Sequence, residues 1–566
     1  MSIRSLTLEN FKGFSSPTTV QLRPITLLFG GNSAGKSSIL QALLYAREIL
    51  ERRNADPDQT LLGGDAVDLG GFRNLVHNHD TSLDISLRFD LDLSQVKLSS
   101  FYKPDAYFDT HDWAPIDVTK PAWVQIVVSS GRALDEPAQA NYEIGFNGLP
   151  ALSLIALPTQ VGRYVVHYNV LNPFVSRFHP ETESTAKSPV IFSLRKPYWN
   201  YVTEVEWPDY QPTSEGKWKP LAVVDVSSWE RPRREYWAEG KVSDSPRSNR
   251  RYETLFEEIF SLIAEDAETT DAIPDIGPSI NGLVNYLLNN LRALRYIGPI
   301  RAIPNRNSEP SRSPEGVGWA DGMAAWDWIH KASAEQTKEL NKWLGPDHLN
   351  IGYRVEVKRY KEIDTESLAW ESLLQGPGRS KRDKKLAADI SALPVKTRIQ
   401  LRQIKDSLEV TPRDVGIGIS QVIPVVVATL MDDEGITVME QPELHMHPAV
   451  QVALGDLFIQ RTAEAFGKGR MFIIETHSEH LLLRILRRVR ETALKQAPAG
   501  LELLPDGVAV CYIEAREGGA EIQHLRIDED GRFMDRWPHG FFPERMRENL
   551  PKEIRERVKA KERGSE

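Results

Sequence analysis

Two features that would place this chain in a particular cellular environment are missing from its sequence. Cys511 is the only cysteine among 566 residues, so the chain cannot form an internal disulfide, and we expect a reducing compartment. The longest uncharged apolar stretch, residues 422–431, is too short to cross a bilayer, and residues 1–14 do not have the composition of a signal peptide. These absences predict a cytoplasmic protein with no membrane contact.

An excess of positive charge is also absent. The formal net charge is −10, which argues against a surface made mainly for nucleic-acid phosphates, although one local basic groove is compatible with that total. The best candidate is residues 229–252, where arginines lie among aromatic residues, but acidic residues dilute this segment. Nucleic-acid binding therefore stays open, and so does docking of a separate effector protein by the same segment.

The remaining composition is that of a compact globular protein. Hydrophobic residues make up 41% and charged residues 26% of the chain, which are ordinary values for folded domains. A chain of this length is expected to contain at least two structural units. Residues 91–398 contain short alternating segments and polar, proline-rich loops without sustained heptads or repeats, and we interpret them as a large insertion.

A glycine-rich loop near the start of the chain has the pattern of a phosphate-binding site. Residues 25–29 predict a buried strand, and apolar residues recur at helical spacing from Ile39 onward. Between them, backbone N–H groups can point at phosphates, Lys36 can reach the β and γ phosphates of ATP, and Ser37 can hold Mg²⁺. The predicted ATP-binding residues are Gly30, Gly31, Asn32, Ser33, Ala34, Gly35, Lys36, Ser37 and Ser38.

Two apolar runs later in the chain are each followed by polar residues that suit the same chemistry. Residues 435–439 predict a buried parallel strand, and Glu440 directly after them is the predicted Mg²⁺ ligand. Residues 470–474 predict a second such strand, after which His477 could contact the γ phosphate or an attacking water.

Residues 414–421 contain two glycines and a serine just before an apolar helix. Their amides and hydroxyl could form a second anion-binding nest, although a glycine-rich helix entrance is commonly a simple turn. The position of this segment shortly before Glu440 favours the anion-binding interpretation.

The order of these elements resembles that of ABC-type P-loop ATPases. Asn-Phe-Lys-Gly-Phe from Asn10, Gln-Pro-Glu-Leu-His-Met-His-Pro from Gln441 and Glu-Thr-His-Ser from Glu475 are similar, more specifically, to the SMC, RecF and OLD branch. Bacterial and phage-defence ATPases are frequent in that branch. The resemblance covers roughly residues 1–90 and 399–485.

This resemblance implies an α/β fold, with an ATPase head that is interrupted by a large α+β insertion. The head would consist of residues 1–90 and 399–500, with the insertion at residues 91–398 between them. A short strand-containing segment, a β-hairpin and tail, would occupy residues 501–566. The residues around Arg516 to Gly519 predict the turn of that hairpin.

The resemblance also implies that two heads form one nucleotide site. Gly418, Ser420 and Gln421 would belong to the signature loop, which in such families completes the ATP site of a partner head. His447 would lie in the loop that contacts the partner. A homodimer or a higher homo-oligomer through the heads follows as an expectation.

Three residues would carry catalysis, and one would assist the metal. His477 would be the switch histidine, and His77 would lie near the position of the Mg²⁺-side glutamine. Gln441 stands where these ATPases usually have the glutamate that activates water, so slow hydrolysis is expected, with Glu443 as a substitute base.

The expected function is that of an ATP-gated sensor or scaffold in DNA surveillance or anti-phage defence, acting with a separate effector. A RecF-like, DNA-binding ATPase of DNA repair is one alternative. A metal-dependent hydrolase or nuclease is another, because His-x-His and His-x-x-His pairs can supply metal ligands. Its candidate ligands are His445, His447, His477 and His480, with an acidic group at Glu514, Glu517, Glu521, Asp528, Glu529 and Asp530.

Overall fold

The computed structural model gives positions for most of the chain. It describes residues 3–60, 64–94, 119–131, 138–156, 163–169, 172, 190–192, 218–225, 255, 273–306, 309–310, 318–367, 370–371, 374, 388, 390–431, 435–464, 470–538 and 540. The arginine-rich segment at residues 229–252 lies outside these ranges, so its contacts with nucleic acid or an effector stay predictions.

The described residues form twenty strands and eight α-helices. The strands are β1 (Ile3–Glu9), β2 (Thr18–Gln21), β3 (Ile25–Gly30), β4 (Gln59–Thr60), β5 (Gly64–Asp68), β6 (Ile85–Leu91), β7 (Ala122–Ser129), β8 (Gln139–Phe146), β9 (Leu149–Ala156), β10 (Arg163–Asn169), β11 (Val190–Phe192), β12 (Trp218–Asp225), β13 (Arg295–Ile297), β14 (Tyr353–Tyr360), β15 (Lys396–Gln403), β16 (Glu409–Val410), β17 (Ile436–Glu440), β18 (Met471–Glu475), β19 (Val508–Arg516) and β20 (Gly519–His524). The helices are α1 (Lys36–Arg52), α2 (Gly71–Leu75), α3 (Ile273–Arg292), α4 (Met323–Lys331), α5 (Ala334–Leu344), α6 (Ile417–Leu430), α7 (Pro448–Glu464) and α8 (Glu479–Ala493). None of the helices in the described ranges is long and apolar enough to span a bilayer.

The first large sheet joins the N-terminal strands to most strands of the predicted insertion. Its order is β11-β12-β10-β9-β8-β7-β6-β1-β2, and neighbours are antiparallel except for β11 and β12. Pairing with β7 satisfies the backbone groups that would otherwise be exposed along the edge of β6. The sheet therefore continues across the predicted domain boundary at residue 91, because the strands after that residue extend it.

The second large sheet carries the phosphate-binding loop. Its order is β13-β17-β18-β3-β19-β20, with parallel neighbours except for the β19–β20 hairpin. The predicted strands at residues 25–29, 435–439 and 470–474 are confirmed as β3, β17 and β18. This sheet also includes strands from two other predicted units, since β13 comes from the predicted insertion and β19 from the predicted C-terminal segment.

Side chains that alternate along the strands of the second sheet pack into two hydrophobic cores, one on each face of the sheet. Leu28 and Ile473 face a core shared with α1, α3 and the first sheet. Leu27 and Ile474 face a core built with α4 to α8. Both faces of the sheet are covered, which is the usual environment of parallel strands and explains their nearly continuous apolar sequences.

Helix α6 is anchored at its C-terminal end by three buried arginines. Arg295 donates to the carbonyl of Ala428 (3.1 Å), Arg470 to that of Thr429 (2.6 Å), and Arg461 to that of Leu430 (2.6 Å). These cations satisfy carbonyls that have no partner within the helix, and they oppose its negative end. The N-terminal end of α6, by contrast, reaches the surface at Gly416 and Ile417.

Candidate phosphate-binding site

The loop between β3 and α1 follows a path that its glycines permit. Gly30 has φ +146°, and a Cβ atom there would lie 2.1 Å from the carbonyl oxygen of Ile513 on β19. Gly35 has φ +106° directly before α1, and Ser33 is also left-handed at φ +60°. The turn leaves Gly31 to Ser33 exposed at the N-terminal end of α1, where backbone N–H groups can receive an anion.

Lys36 and Ser37 both contact Glu475, the last residue of β18. The Lys36 ammonium is 4% exposed, donates to the carbonyls of Gly31 (2.8 Å) and Gly30 (3.2 Å), and lies 3.7 Å from Glu475 Oε1. Ser37 Oγ donates to Glu475 Oε2 (2.7 Å). Burial lowers the pKa of Lys36, and the nearby Glu475 carboxylate opposes that shift.

Glu475 is a site residue that sequence reasoning did not select. A signal was available, since residues 435–439 and 470–474 are both predicted as buried parallel strands and each run is followed directly by a glutamate. In the structure Glu440 and Glu475 are opposite each other in register. Carboxylate and hydroxyl oxygens therefore gather beside the phosphate-binding loop, which is the donor set that Mg²⁺ prefers.

The predicted Mg²⁺ ligand, Glu440, accepts a hydrogen bond from a residue of the predicted insertion. Tyr296 Oη on β13 donates to Glu440 Oε1 (2.7 Å). Burial raises the pKa of Glu440 to about 7, the Tyr296 hydrogen bond opposes this shift, and the Glu475 carboxylate adds to it. A cation bound between the two carboxylates would favour their ionised forms.

Arg301 supports the backbone just after Glu440. Its Nη2 donates to the carbonyls of Glu440 (2.9 Å) and Gln441 (3.2 Å), and the side chain is 2% exposed. Burial lowers the pKa of Arg301 to about 10, an effect that Glu443 and Glu440 oppose. No local pattern identified Arg301 or Tyr296, because both act through partners more than a hundred residues away.

Gln441 and Glu443 occupy different environments in the turn after β17. Gln441 has φ +43° and donates its backbone N–H to the carbonyl of Glu475 (2.8 Å). Glu443 is 9% exposed, and its Oε1 accepts the backbone N–H of His477 (2.7 Å). Burial raises the pKa of Glu443. The Glu443 carboxylate thus holds the His477 turn, while the His477 side chain is exposed.

Only part of the predicted signature faces outward. Ser420 is fully buried and donates to the carbonyl of Pro412 (2.6 Å), and Gln421 is 4% exposed and bonded to Arg301. Both side chains are thus engaged within their own chain, and their contact with a second subunit stays a prediction. Gly418 remains partly exposed, and it packs closely because a Cβ there would lie 2.4 Å from the His445 carbonyl oxygen.

A cavity of about 280 Å³ lies beside the first turn of α6. Gly416 and Gly418 line one side of it, His445 and His447 another, and residues 350–351 a third. The His447 imidazole accepts, at Nδ1, the backbone N–H of Ala449 in the first turn of α7 (3.2 Å). Both histidines are exposed, as a surface that meets another molecule requires.

His77, the predicted assistant of the metal, contacts the loop before β2 instead. Its Nδ1 lies 2.7 Å from the carbonyl oxygen of Lys12, and Lys12 Nζ in turn donates to Gln41 of α1 (2.6 Å). A direct role of His77 at Mg²⁺ stays a prediction.

The histidine-based metal site has no geometric support in the described ranges. Within them, no group of three or more histidine, cysteine or acidic side chains is arranged to hold a metal ion. The acidic residues near the C-terminal end form the predicted hairpin, in which Glu514 and Glu521 are cross-strand neighbours and both pair with Arg516.

Comparisons with known proteins agree with this geometry. A family model described as "AAA ATPase domain" matches residues 1–139, and one described as "AAA domain, putative AbiEii toxin, Type IV TA system" matches residues 346–484. Chromosome partition protein Smc from Mycolicibacterium paratuberculosis is 40% identical over 70 residues, and Smc from Mycobacterium tuberculosis is 39% identical over 70 residues. Each match covers 12% of this chain and 5% of the relative, so the chain matches only a small part of these proteins.

Two solved structures align along most of the chain at low similarity. The SMC head domain from Thermotoga maritima is 9% identical with a TM-score of 0.33, covering 93% of this chain and 100% of that one. A structure of the recombination mediator protein RecF is 10% identical with a TM-score of 0.27, covering 92% of this chain and 97% of that one.

Proposed function

Because the chain is an ABC-type P-loop ATPase of the SMC- and RecF-like branch, we propose that two copies of it close head to head around ATP. The proposal rests chiefly on the orientation of α6. Three arginines fix the C-terminal end of α6, while its N-terminal turn faces solvent beside a cavity. The free N–H groups of that turn can bind the phosphates of a nucleotide held by another copy.

The residues present fit ATP and Mg²⁺. Exposed amides of the phosphate-binding loop and Lys36 would hold the phosphates, and Ser37 and Glu440 would hold the cation, with Glu475 close to both. Mg²⁺ supplies charge neutralisation for the phosphoryl group, and the protein supplies its position. Lys36 would exchange its carbonyl contacts for phosphate oxygens when the nucleotide binds.

Hydrolysis in this arrangement is proposed to be slow. Gln441 follows β17 directly, and its amide can orient a water molecule but cannot accept a proton. The Glu443 carboxylate is buried and its Oε1 accepts the His477 amide, so it has little access to an attacking water. The ATP-bound dimer would therefore persist, as a sensor or scaffold requires.

Gln441→Glu tests this explanation. A carboxylate at the water should raise turnover by roughly 10- to 100-fold, because it adds general-base catalysis. Turnover is measured by phosphate release at saturating ATP, with Gln496→Glu as the control, since Gln496 is exposed after the end of α8. Unchanged turnover in Gln441→Glu would remove Gln441 from the water-binding position.

The head-to-head dimer can be tested at Ile417, which is 53% exposed at the start of α6. Wild-type protein should change from monomer to dimer when Mg²⁺ and a slowly hydrolysed ATP analogue are added, measured by light scattering during size-exclusion chromatography. Ile417→Asp should stay monomeric while it binds the analogue normally, because a carboxylate there repels the facing phosphates. Leu504→Asp, at a site 67% exposed elsewhere, is the matched control and should dimerise. Equal dimerisation of both variants contradicts the proposed interface.

For the biological role, we propose ATP-gated sensing or scaffolding in DNA surveillance or anti-phage defence, with a separate effector and in the cytoplasm. The toxin–antitoxin wording of one matched family model favours a defence system. A RecF-like role in DNA repair is the second candidate, since the motifs at Asn10, Gln441 and Glu475 resemble those of the branch that includes RecF. Salt-dependent DNA binding by the wild-type protein would favour the repair role, whereas co-purification of an effector without DNA would favour defence.

A further inference from the structure

Arg301 lies between two parts of the site and has no role in the proposed ATP contacts. Its Nη2 holds the carbonyls of Glu440 and Gln441, the two residues at the end of β17. Its Nε and Nη1 are buried and have no hydrogen-bond partner among the described residues. Burial of a guanidinium with unpaired N–H groups costs hydration free energy. The fold accepts this cost at a position where the guanidinium holds the backbone at Glu440 and Gln441.

The backbone of Arg301 is held by α6 rather than by its own neighbours. The Arg301 N–H donates to Gln421 Oε1 (3.1 Å), and Gln421 Nε2 donates to the Arg301 carbonyl. The side-chain amide of Gln421 thus bonds both the N–H and the carbonyl of Arg301, as a neighbouring backbone would in a β-sheet. Gln421 lies one turn after Ile417, so Arg301 is tied to the exposed end of α6.

The turn after β17 meets α6 at a second point. The His445 carbonyl packs against Gly418 so closely that a side chain there would collide with it. Gln441 and His445 both have left-handed backbone conformations, with φ +43° and +63°, which residues with a side chain adopt rarely. We infer that the contacts from α6 stabilise these uncommon backbone conformations in the turn after β17.

We propose that Arg301 is a positioning residue that couples α6 to the catalytic turn. When a second head binds at the exposed end of α6, any displacement of the helix passes through Gln421 to Arg301. The displacement then moves the backbone at Glu440 and Gln441. It thereby shifts the Glu440 carboxylate, which is the predicted Mg²⁺ ligand, and the Gln441 side-chain amide, which is proposed to orient water. This inference rests on the proposed ATPase function, in which Arg301 would link dimer formation to catalysis.

The first test measures the turn itself and needs no nucleotide. The backbone N–H groups of Gln441, Leu444 and Met446 are all hydrogen bonded, so their hydrogen exchange reports the order of the turn. Arg301→Lys keeps the charge but loses the planar two-carbonyl contact, and Gln421→Met removes the clamp. Each variant should speed exchange in a peptide spanning the turn by about 10-fold, with α1 and β3 unchanged.

Arg470→Lys is the matched control for this measurement. Arg470 is also buried and also donates to carbonyls of α6, those of Ala428 and Thr429, but at the opposite end of the helix. It should leave exchange in the turn unchanged. Unchanged exchange in Arg301→Lys and Gln421→Met, or an equal increase in Arg470→Lys, overturns the proposal.

The second test separates positioning from binding. Single-turnover hydrolysis should slow by about 10-fold in Arg301→Lys and in Gln421→Met, while the Kd for ATP changes by less than about threefold. Since Gln421 acts through Arg301, the double variant should be no slower than either single variant. Losses that multiply in the double variant contradict the coupling. Failure of the wild-type protein to bind ATP would instead contradict the proposed function, and the exchange result would still decide the role of Arg301.

Discussion

Lys36→Ala is expected to weaken ATP binding by about 100-fold or more. The ammonium would supply charge-assisted hydrogen bonds to the β and γ phosphates, and the loss of about 3 kcal/mol from such contacts corresponds to that factor. In the structure Lys36 also holds the carbonyls of Gly30 and Gly31, so its removal loosens the loop that presents the amides. Isothermal titration with Mg²⁺ and ATP measures the effect.

Two comparisons make the Lys36 result decisive. Lys338→Ala changes an exposed lysine within α5, where alanine is a good helix former, and ATP affinity should be unaffected. Lys36→Ala should unfold at a lower temperature than the wild type, because the buried Glu475 carboxylate loses its neighbouring cation, so circular dichroism at the titration temperature checks that the variant is folded. ATP affinity within about threefold of the wild type would show that the nucleotide binds elsewhere.

Glu440→Ala is expected to reduce turnover by about 100- to 1,000-fold while ATP still binds. The carboxylate is the predicted ligand of the cation that neutralises the reacting phosphates, and losses of this size follow when one preorganised electrostatic group is removed. Glu440→Gln should show a similar loss, although the Tyr296 hydroxyl can still donate to its amide oxygen. Phosphate release at saturating Mg²⁺ and ATP gives the rate, and titration gives the retained affinity.

Comparison with Glu443→Gln distinguishes the roles of the two glutamates, Glu440 as metal ligand and Glu443 as structural residue. The amide oxygen of glutamine can still accept the N–H of His477, so turnover should fall by less than about 10-fold. A loss in Glu443→Gln as large as that in Glu440→Ala would make Glu443 the base, contrary to its buried, bonded position. Turnover of Glu440→Ala at the wild-type rate would remove Glu440 from the metal site.

Local sequence patterns were sufficient for the parts of the site that are continuous in the chain. The run of β3, glycine loop and α1 needs no distant partner to be recognised, because the strand, the turn residues and the helical spacing are adjacent. The ends of β17 and β18 were found in the same way. Glu440 and His477 were selected because each follows a buried apolar strand.

The missed residues depend on pairing across the chain. Strand β13 has three residues, too few for a recognisable alternation, and it becomes a strand because it pairs with β17. Tyr296 and Arg301 enter the site only through that pairing. The sequence also did not indicate which side of α6 faces the surface, because residues 420–430 are all buried and apolar residues occur all around the helix. Its sequence therefore gave no sign that Ser420 faces inward.

The position of β3 between β18 and β19 also affects how the protein is made. The phosphate-binding strand is synthesised within the first thirty residues, yet both of its neighbours in the sheet come after residue 470. At 5 to 20 residues per second, a ribosome needs roughly 20 to 90 s to supply the first of these neighbours. Until then β3 has two unpaired edges and an apolar surface on each face. Early pairing of β1, β2 and β6 can cover one face of β3 through their shared core, and no complete ATP site exists before β18 has been synthesised.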